Sequence, residues 1–192
     1  MATTRSTGRW PRLASSSVAD VWTTIAADAA LESPLWEQAL RPQHERELEP
    51  VFSRLAEPRF GLAVETIYEG YLTHYGRPRL FAPPDADVAL LLGDYLYAHG
   101  LVRISALGDV AAVARLAGLI SLCAQLRADG REGDGEAWAA TAALLADGDE
   151  LEDALASLRD AANASEAAAL ARASRGDAAV RSALAAHSRR VR

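Results

Sequence analysis

The stretch Val88 to Ser105, VALLLGDYLYAHGLVRIS, most constrains what this chain can fold into. It is apolar on almost every side, so a helix built from it is expected to be buried all round rather than amphipathic. Ala89, Gly93 and Gly100 fall near one stripe, at spacings of four and seven. Each glycine inside a helix costs about 1 kcal/mol relative to alanine. Close approach of a second helix is the compensation expected for that cost. Asp94 stands in the middle of the stretch, and a buried carboxylate needs a partner or a proton. The segment reads as the central helix of an all-α domain.

The flanking signals are helical too. Ser16 or Ser17 can cap a first helix to about Leu31, with Val18, Trp22, Ile25 and Ala29 on one face. Ser33-Pro34 offers an N-cap followed by proline at the first helical position. The helix predicted there carries Trp36, Leu40, Leu48, Val51, Phe52 and Leu55, with kinks at Pro42 and Pro50 and an end at Pro58. A third helix is expected from about Phe60 to His74, followed by the loop GRPRLFAPP. Asp85 and Asp87 sit where acids complement the positive end of the central helix. Further helices are expected from about Asp109 to Arg127, largely buried, and from Glu136 to Ala146. From Asp147 onward alanine replaces the large apolar residues, which predicts helices that dock weakly. The expected organisation is a tail over residues 1–15, disordered, a helical domain over 16–147 and an Ala-rich extension over 148–192. No stretch has the alternation or β-branched density of a sheet.

Composition narrows the function classes. The 192 residues carry a net charge of -6, and every cation is an arginine. The basic residues cluster only at Arg189, Arg190 and Arg192, which argues against nucleic acid as the main partner. The apolar run from Val110 to Leu126 is broken by Arg115 and Ser121 and reads as a core helix, not a membrane span. The single cysteine, Cys123, lies in that run and fits a small core residue in a reducing, cytoplasmic setting. Residues 1–17 hold Ser, Thr and Arg without an acid, loosely like a transit peptide, and lack the apolar stretch of a secretory signal. The histidines His44, His74, His99 and His187 have no ligand spacing within one helix, and the acidic run Asp147 to Asp153 does not fit a Ca²⁺ loop.

Leu91-Leu92-Gly93-Asp94-Tyr95-Leu96 resembles the L-x-G-D-Y-L segment of the trans-isoprenyl (polyprenyl) diphosphate synthases. Upstream, Leu62 to Ile67 is similar to that family's A-x-x-V-E helix, and Gly70 to His74 resembles its S-L-I-H segment. Downstream, Leu122 to Gln125 resembles the segment ending in G-Q, and Trp138 to Leu144 faintly resembles the K-T-A-x-L helix. The similarity spans roughly Leu62 to Leu145. In the family the histidine is followed by D-D-x-x-D, whose carboxylates bind the Mg²⁺ that holds the allylic diphosphate. Here the three aspartate positions are Tyr75, Gly76 and Arg79, and the lysine position is Ala140. A second aspartate motif is not found in the C-terminal part.

The resemblance therefore implies a shortened isoprenyl-synthase bundle without its own metal site. The expected role is the small, non-catalytic component of a heteromeric long-chain polyprenyl diphosphate synthase. The Mg²⁺ and both aspartate motifs would belong to a catalytic partner, and the product would serve a quinone side chain. Tyr71, Tyr75, Leu92, Tyr95, Leu96 and His99 are the candidates to line a cavity for an isoprenoid. Arg77 and Arg79 are the candidates for a diphosphate contact. Two other expectations stand beside this one. One is a stand-alone scaffold or binding protein, as a homodimer; the other is an enzyme with relocated ligands at Asp85, Asp87 or Asp94.

Overall fold

The computed structural model describes residues 18–148 and 150–191. Among them the regular elements are α-helices: α1 Val18–Glu32, α2 Pro34–Gln38, α3 Gly61–Tyr75, α4 Ala86–Ser105, α5 Val110–Ala128, α6 Asp134–Ala143, α7 Leu151–Ala161, α8 Ser165–Arg175 and α9 Asp177–Ser188. Short 3-10 turns lie at Gln43–Glu45 and Pro58–Phe60. Two isolated antiparallel pairs, Leu40 with Phe81 and Gly76 with Val191, tie loops together. The chain is an all-α helical bundle. The expected tail and the caps Ser16 and Ser17 lie outside the described residues.

The middle of the bundle is α3, not α4. Every residue from Ala63 to Thr73 is buried, and α4 makes the most extensive packing against it. Glycine permits that approach: a Cβ on Gly100 would lie 2.3 Å from Ile67 Cγ1, and one on Gly93 would lie 2.4 Å from His74 Nε2. The small-residue stripe is thus present in Gly93 and Gly100, while Ala89 is half-buried. Burial all round is not found, because Leu90 and Leu91 are each 55% exposed and Val102 is 63% exposed. Asp94 belongs to that outer side and is not the buried carboxylate expected; its side chain is 65% exposed. The reason is angular. α3 takes one side of α4, α1 and α2 a second and α5 a third, leaving one stripe outward.

Glycine substitutions on adjacent helices separate propensity from packing. Gly100→Ala gains about 1 kcal/mol of helix propensity but must displace buried Ile67, and overpacking costs about 1–3 kcal/mol. Net destabilisation is expected. Gly118 in α5 has open space at its Cβ position, so Gly118→Ala should stabilise by up to about 1 kcal/mol. Urea melts of the two variants check this; equal shifts would contradict the packing account.

The segment after α2 differs from expectation. Instead of a long kinked helix, α2 ends at Gln38, and residues 39–57 are mostly irregular. Ser33 caps α2 as predicted, its Oγ accepting from Leu35 N at 3.1 Å. Further on, Pro42 and Pro50 deny donors to a ladder. The Glu65 carboxylate takes over instead, accepting from Val51 N at 3.0 Å and Ser53 N at 3.1 Å. Val51, Phe52 and Leu55 are buried without helical periodicity, and Leu48 is exposed.

α5 buries Leu116, Leu119, Leu122, Cys123 and Leu126, but Val110 is 81% exposed, so only one face is covered. This helix is long and apolar enough to cross a membrane by length and composition alone. Arg115 at its middle reaches inward to the Leu145 and Ala146 carbonyls, at 2.9 and 3.2 Å.

The Ala-rich C-terminal region is not weakly docked. Leu151, Leu158, Ala167, Ala171, Val180 and Ala183 belong to the same core cluster as α3, α5 and α6. Alanine lets helix axes come close, so a helix with few large side chains still buries its inner face. α6 is buried at every residue but Glu136, with α8 and α9 packed on it.

Candidate functional site

The six expected cavity residues divide between two separate core clusters. Leu92 and Leu96 are buried with Trp22, Ile25, Trp36, Leu80 and Phe81, and Tyr95 packs against that cluster. Tyr95 stacks on Trp36 at 5.9 Å between ring centroids, and its hydroxyl shares a 2.9 Å hydrogen bond with His99 Nδ1. His99 Nε2 stands 3.7 Å from Asp28. These four residues of α4 fasten α1 and α2 to the bundle. Tyr71 and Tyr75, on α3, face α5 and α6 instead.

The principal cleft opens at the C-terminal end of α3. It encloses about 780 Å³, between His74, Tyr75 and Gly76 on one side and Ala124, Arg127 and Arg131 on the other. A second cleft of about 350 Å³ shares Arg127, Arg131 and Glu132 and continues past the start of α6 to His187 and Val191. Of the expected cavity residues, Tyr75 lines the larger cleft. Tyr71, fully buried, stands behind it, with ring centroids 5.3 Å apart.

The wall between the clefts is a polar network centred on Asp134. Its Oδ2 accepts from the Tyr71 hydroxyl and from Arg127 Nη2. Arg127 also donates to the Tyr71 oxygen, from Nε at 3.0 Å and Nη2 at 2.7 Å. His187 Nε2 lies 3.4 Å from the same carboxylate oxygen, while its Nδ1 shares a 3.0 Å hydrogen bond with the Tyr68 hydroxyl. Burial alone would raise the Asp134 carboxyl, but pairing with His187 and Tyr71 and the charge of Arg127 outweigh it and hold the group well below the usual carboxylate range. Burial, and then Asp134, push the Tyr71 hydroxyl above the ordinary tyrosine range. The sequence named Tyr71 but not Asp134, Arg127 or His187 as its partners. Asp134 and Arg127 meet Tyr71 across separations of 63 and 56 residues, and His187 joins the network through Tyr68 across 119, which no local pattern encodes.

The chain's C-terminal turn closes this region. Arg77 N donates to Arg190 O at 2.8 Å, and Arg190 Nη2 donates to Glu47 at 2.8 Å. A Cβ on Gly76 would lie 2.6 Å from Arg190 O, so glycine is needed for this approach. The two arginines expected to meet a diphosphate are placed differently. Arg77 is exposed, 3.9 Å from Glu47. Arg79 is fully buried and bound to Glu65 at 2.6 Å and Glu69 at 2.9 Å. Its donors are turned inward, so it is a structural residue and not a ligand contact.

Chemically, the clefts offer shape and fixed charge more than an acid–base pair. Asp134, Tyr71 and Arg127 satisfy one another. Burial pushes the Cys123 thiol well up, away from the nucleophilic thiolate. Burial lowers His74 below the ordinary histidine range against the opposing pull of Asp94, whose Oδ1 is 3.2 Å away. Among the described residues, no group of three or more His, Cys, Asp or Glu is arranged to hold a metal ion. Asp85 is an N-cap, accepting from Val88 N at 2.8 Å. It therefore fits the helix-end role. Comparison with protein-family models, curated proteins and solved structures returns no match to this chain.

Proposed function

We propose that this chain is the non-catalytic subunit of a heteromeric long-chain polyprenyl diphosphate synthase. The observation that supports the reading most is the fate of the segment after His74. The residues standing where the family has aspartates are Tyr75, a cleft-lining ring, Gly76, a backbone contact, and Arg79, a buried ion-pair centre. Each now has a structural task in the bundle. A departing diphosphate carries several negative charges that only cations neutralise well. The carboxylates to hold such cations would be the partner's. In this role the cleft beside Tyr75 borders the growing isoprenoid chain, and the protein contributes the wall of that cleft and not the carboxylates that hold the metal.

The test is prenyl transfer from an allylic diphosphate to labelled isopentenyl diphosphate with Mg²⁺. It is run with this chain alone and then mixed with an aspartate-bearing synthase of the same organism. Activity or longer products are expected only in the mixture. Turnover by the chain alone, or no effect in the mixture, overturns the reading. Within an active mixture, Tyr75→Ala should lengthen the product distribution, because it opens the cleft wall. Leu96→Trp should instead lower stability, because Leu96 is buried against Trp22 and Trp36. Mass spectrometry of the extracted prenols reads the first effect and a thermal melt the second.

A further inference from the structure

A smaller hollow lies between α1 and the irregular segment after α2, and it shares no residue with the two clefts. It encloses about 160 Å³, lined by Val21 and Trp22 of α1, Pro50, Ser53 and Arg54 of the segment, and Glu65 of α3. One buried ion cluster holds its walls. Arg79 lies over the Trp22 ring at 4.5 Å and pairs with Glu65 at 2.6 Å. The other Glu65 oxygen accepts from Val51 N and Ser53 N. Both walls are therefore fixed through Glu65, and the space between them is built into the fold. A preformed, mostly apolar hollow with a few polar groups is the usual form of a small-molecule site.

The polar groups around the hollow select its ligand. Trp22 is 2% exposed, and its indole Nε1 is buried with no acceptor among the described residues. An unpaired buried donor is a cost that a bound acceptor removes. Glu65 does not serve it, because its oxygens are engaged by two backbone amides and Arg79. Arg54 is exposed, and its ion-pair partner Glu49 stands at 3.8 Å, beyond hydrogen-bond reach. Its guanidinium is thus available to an oxyanion. The Ser53 hydroxyl is one more group able to donate. Two donors and a cation call for a ligand with acceptor oxygens and negative charge. Size sets the rest: an apolar cavity of about 150 Å³ takes benzene, so the body is a single ring or a branched chain of that bulk.

We infer that this hollow binds a small apolar carboxylate, its body against Val21, Trp22 and Pro50, one oxygen accepting from Trp22 Nε1 and its charge facing Arg54. The site is independent of the accessory-subunit reading and stands or falls without it. The probe is benzoate, with benzyl alcohol as the neutral molecule of the same ring. Each is titrated into the full chain labelled with ¹⁵N, and the indole N–H signals of the four tryptophans are followed. Trp22→Phe assigns the signal of Trp22. Benzoate should shift that signal saturably at millimolar concentration and leave the signal of Trp138, in the other core cluster, in place. Arg54→Gln changes an exposed side chain and should melt like the wild type. It should weaken benzoate at least tenfold and leave benzyl alcohol unchanged. Thermal melts give a second readout that needs no Trp22 variant, since a ligand of the folded state raises the midpoint: benzoate should raise it in the wild type and much less in Arg54→Gln. Absence of a saturable shift overturns the inference. So does benzoate binding that Arg54→Gln leaves undiminished, or benzyl alcohol binding as tightly as benzoate.

Discussion

Arg79→Ala should be among the most damaging single substitutions in this protein, costing about 3–5 kcal/mol of stability. Arg79 is 0% exposed, and its guanidinium reaches Glu65, Glu69 and the Glu49 carbonyl, the last at 3.0 Å. It also lies over the rings of Trp22 at 4.5 Å and Tyr68 at 4.9 Å. Removing it leaves two buried carboxylates with no cation. Their remaining partners are backbone donors: Val51 and Ser53 for Glu65, and Arg79 N and Leu80 N for Glu69, each of the last two at 2.7 Å. Net stability of a domain is about 5–15 kcal/mol, so the loss is a large share of the whole. Arg79→Lys keeps the charge but cannot serve both glutamates with a planar fork, and should fall between alanine and wild type. Denaturant melts decide. A cost below about 1 kcal/mol for the alanine variant would contradict the buried-ion account.

Asp134→Ala is the second large effect, about 3 kcal/mol, because it removes the carboxylate that pairs with Arg127, accepts from the Tyr71 hydroxyl and faces His187. Asp134→Asn keeps the shape and an acceptor while losing the charge, and should cost less. The pH dependence follows from the direction of the shift. The folded carboxyl sits below its unfolded value, so its contribution is fully present above the ordinary carboxyl pKa of about 3.9 and is lost as pH falls through the folded value. The stability gap between wild type and Asp134→Asn should therefore be widest near neutrality and narrow in acid. Urea melts at pH 7 and pH 3 measure it. A gap independent of pH would mean that the carboxylate charge is not what the network uses.

Arginine as the sole cation has a structural consequence. Arg131 donates to the Leu158 and Arg159 carbonyls at 2.6 and 2.8 Å, and Arg175 donates to Ala143 O from Nε and Nη2, at 3.3 and 3.0 Å. Arg115 does the same for the carbonyls just past α6. Helix C-terminal carbonyls lack intrahelical donors, and a guanidinium can serve two at once. These arginines join the Ala-rich helices α7 and α8 to α5 and α6, where apolar side chains alone supply little area. Composition suggested weak docking there because it counted side-chain size and not these contacts.

The sequence by itself determined the helical class, the positions of most helices and several of their ends. These signals are local. The Ser33 and Asp85 caps, the glycines and prolines in loops and the 3.6-residue period act within a few residues of where they are read. It also marked Gly93 and Gly100 as points of close approach. Only the tertiary structure decided which helix lies at the centre, which side of α4 faces outward and whether an arginine after α3 meets solvent or two buried glutamates. The tertiary structure likewise assembled Tyr71, Arg127, Asp134 and His187 into one network. Those outcomes depend on the angles and distances at which helices pack. A rotation of one residue turns a helical side chain by about 100°, enough to move Asp94 from core to surface while leaving every local helix signal unchanged.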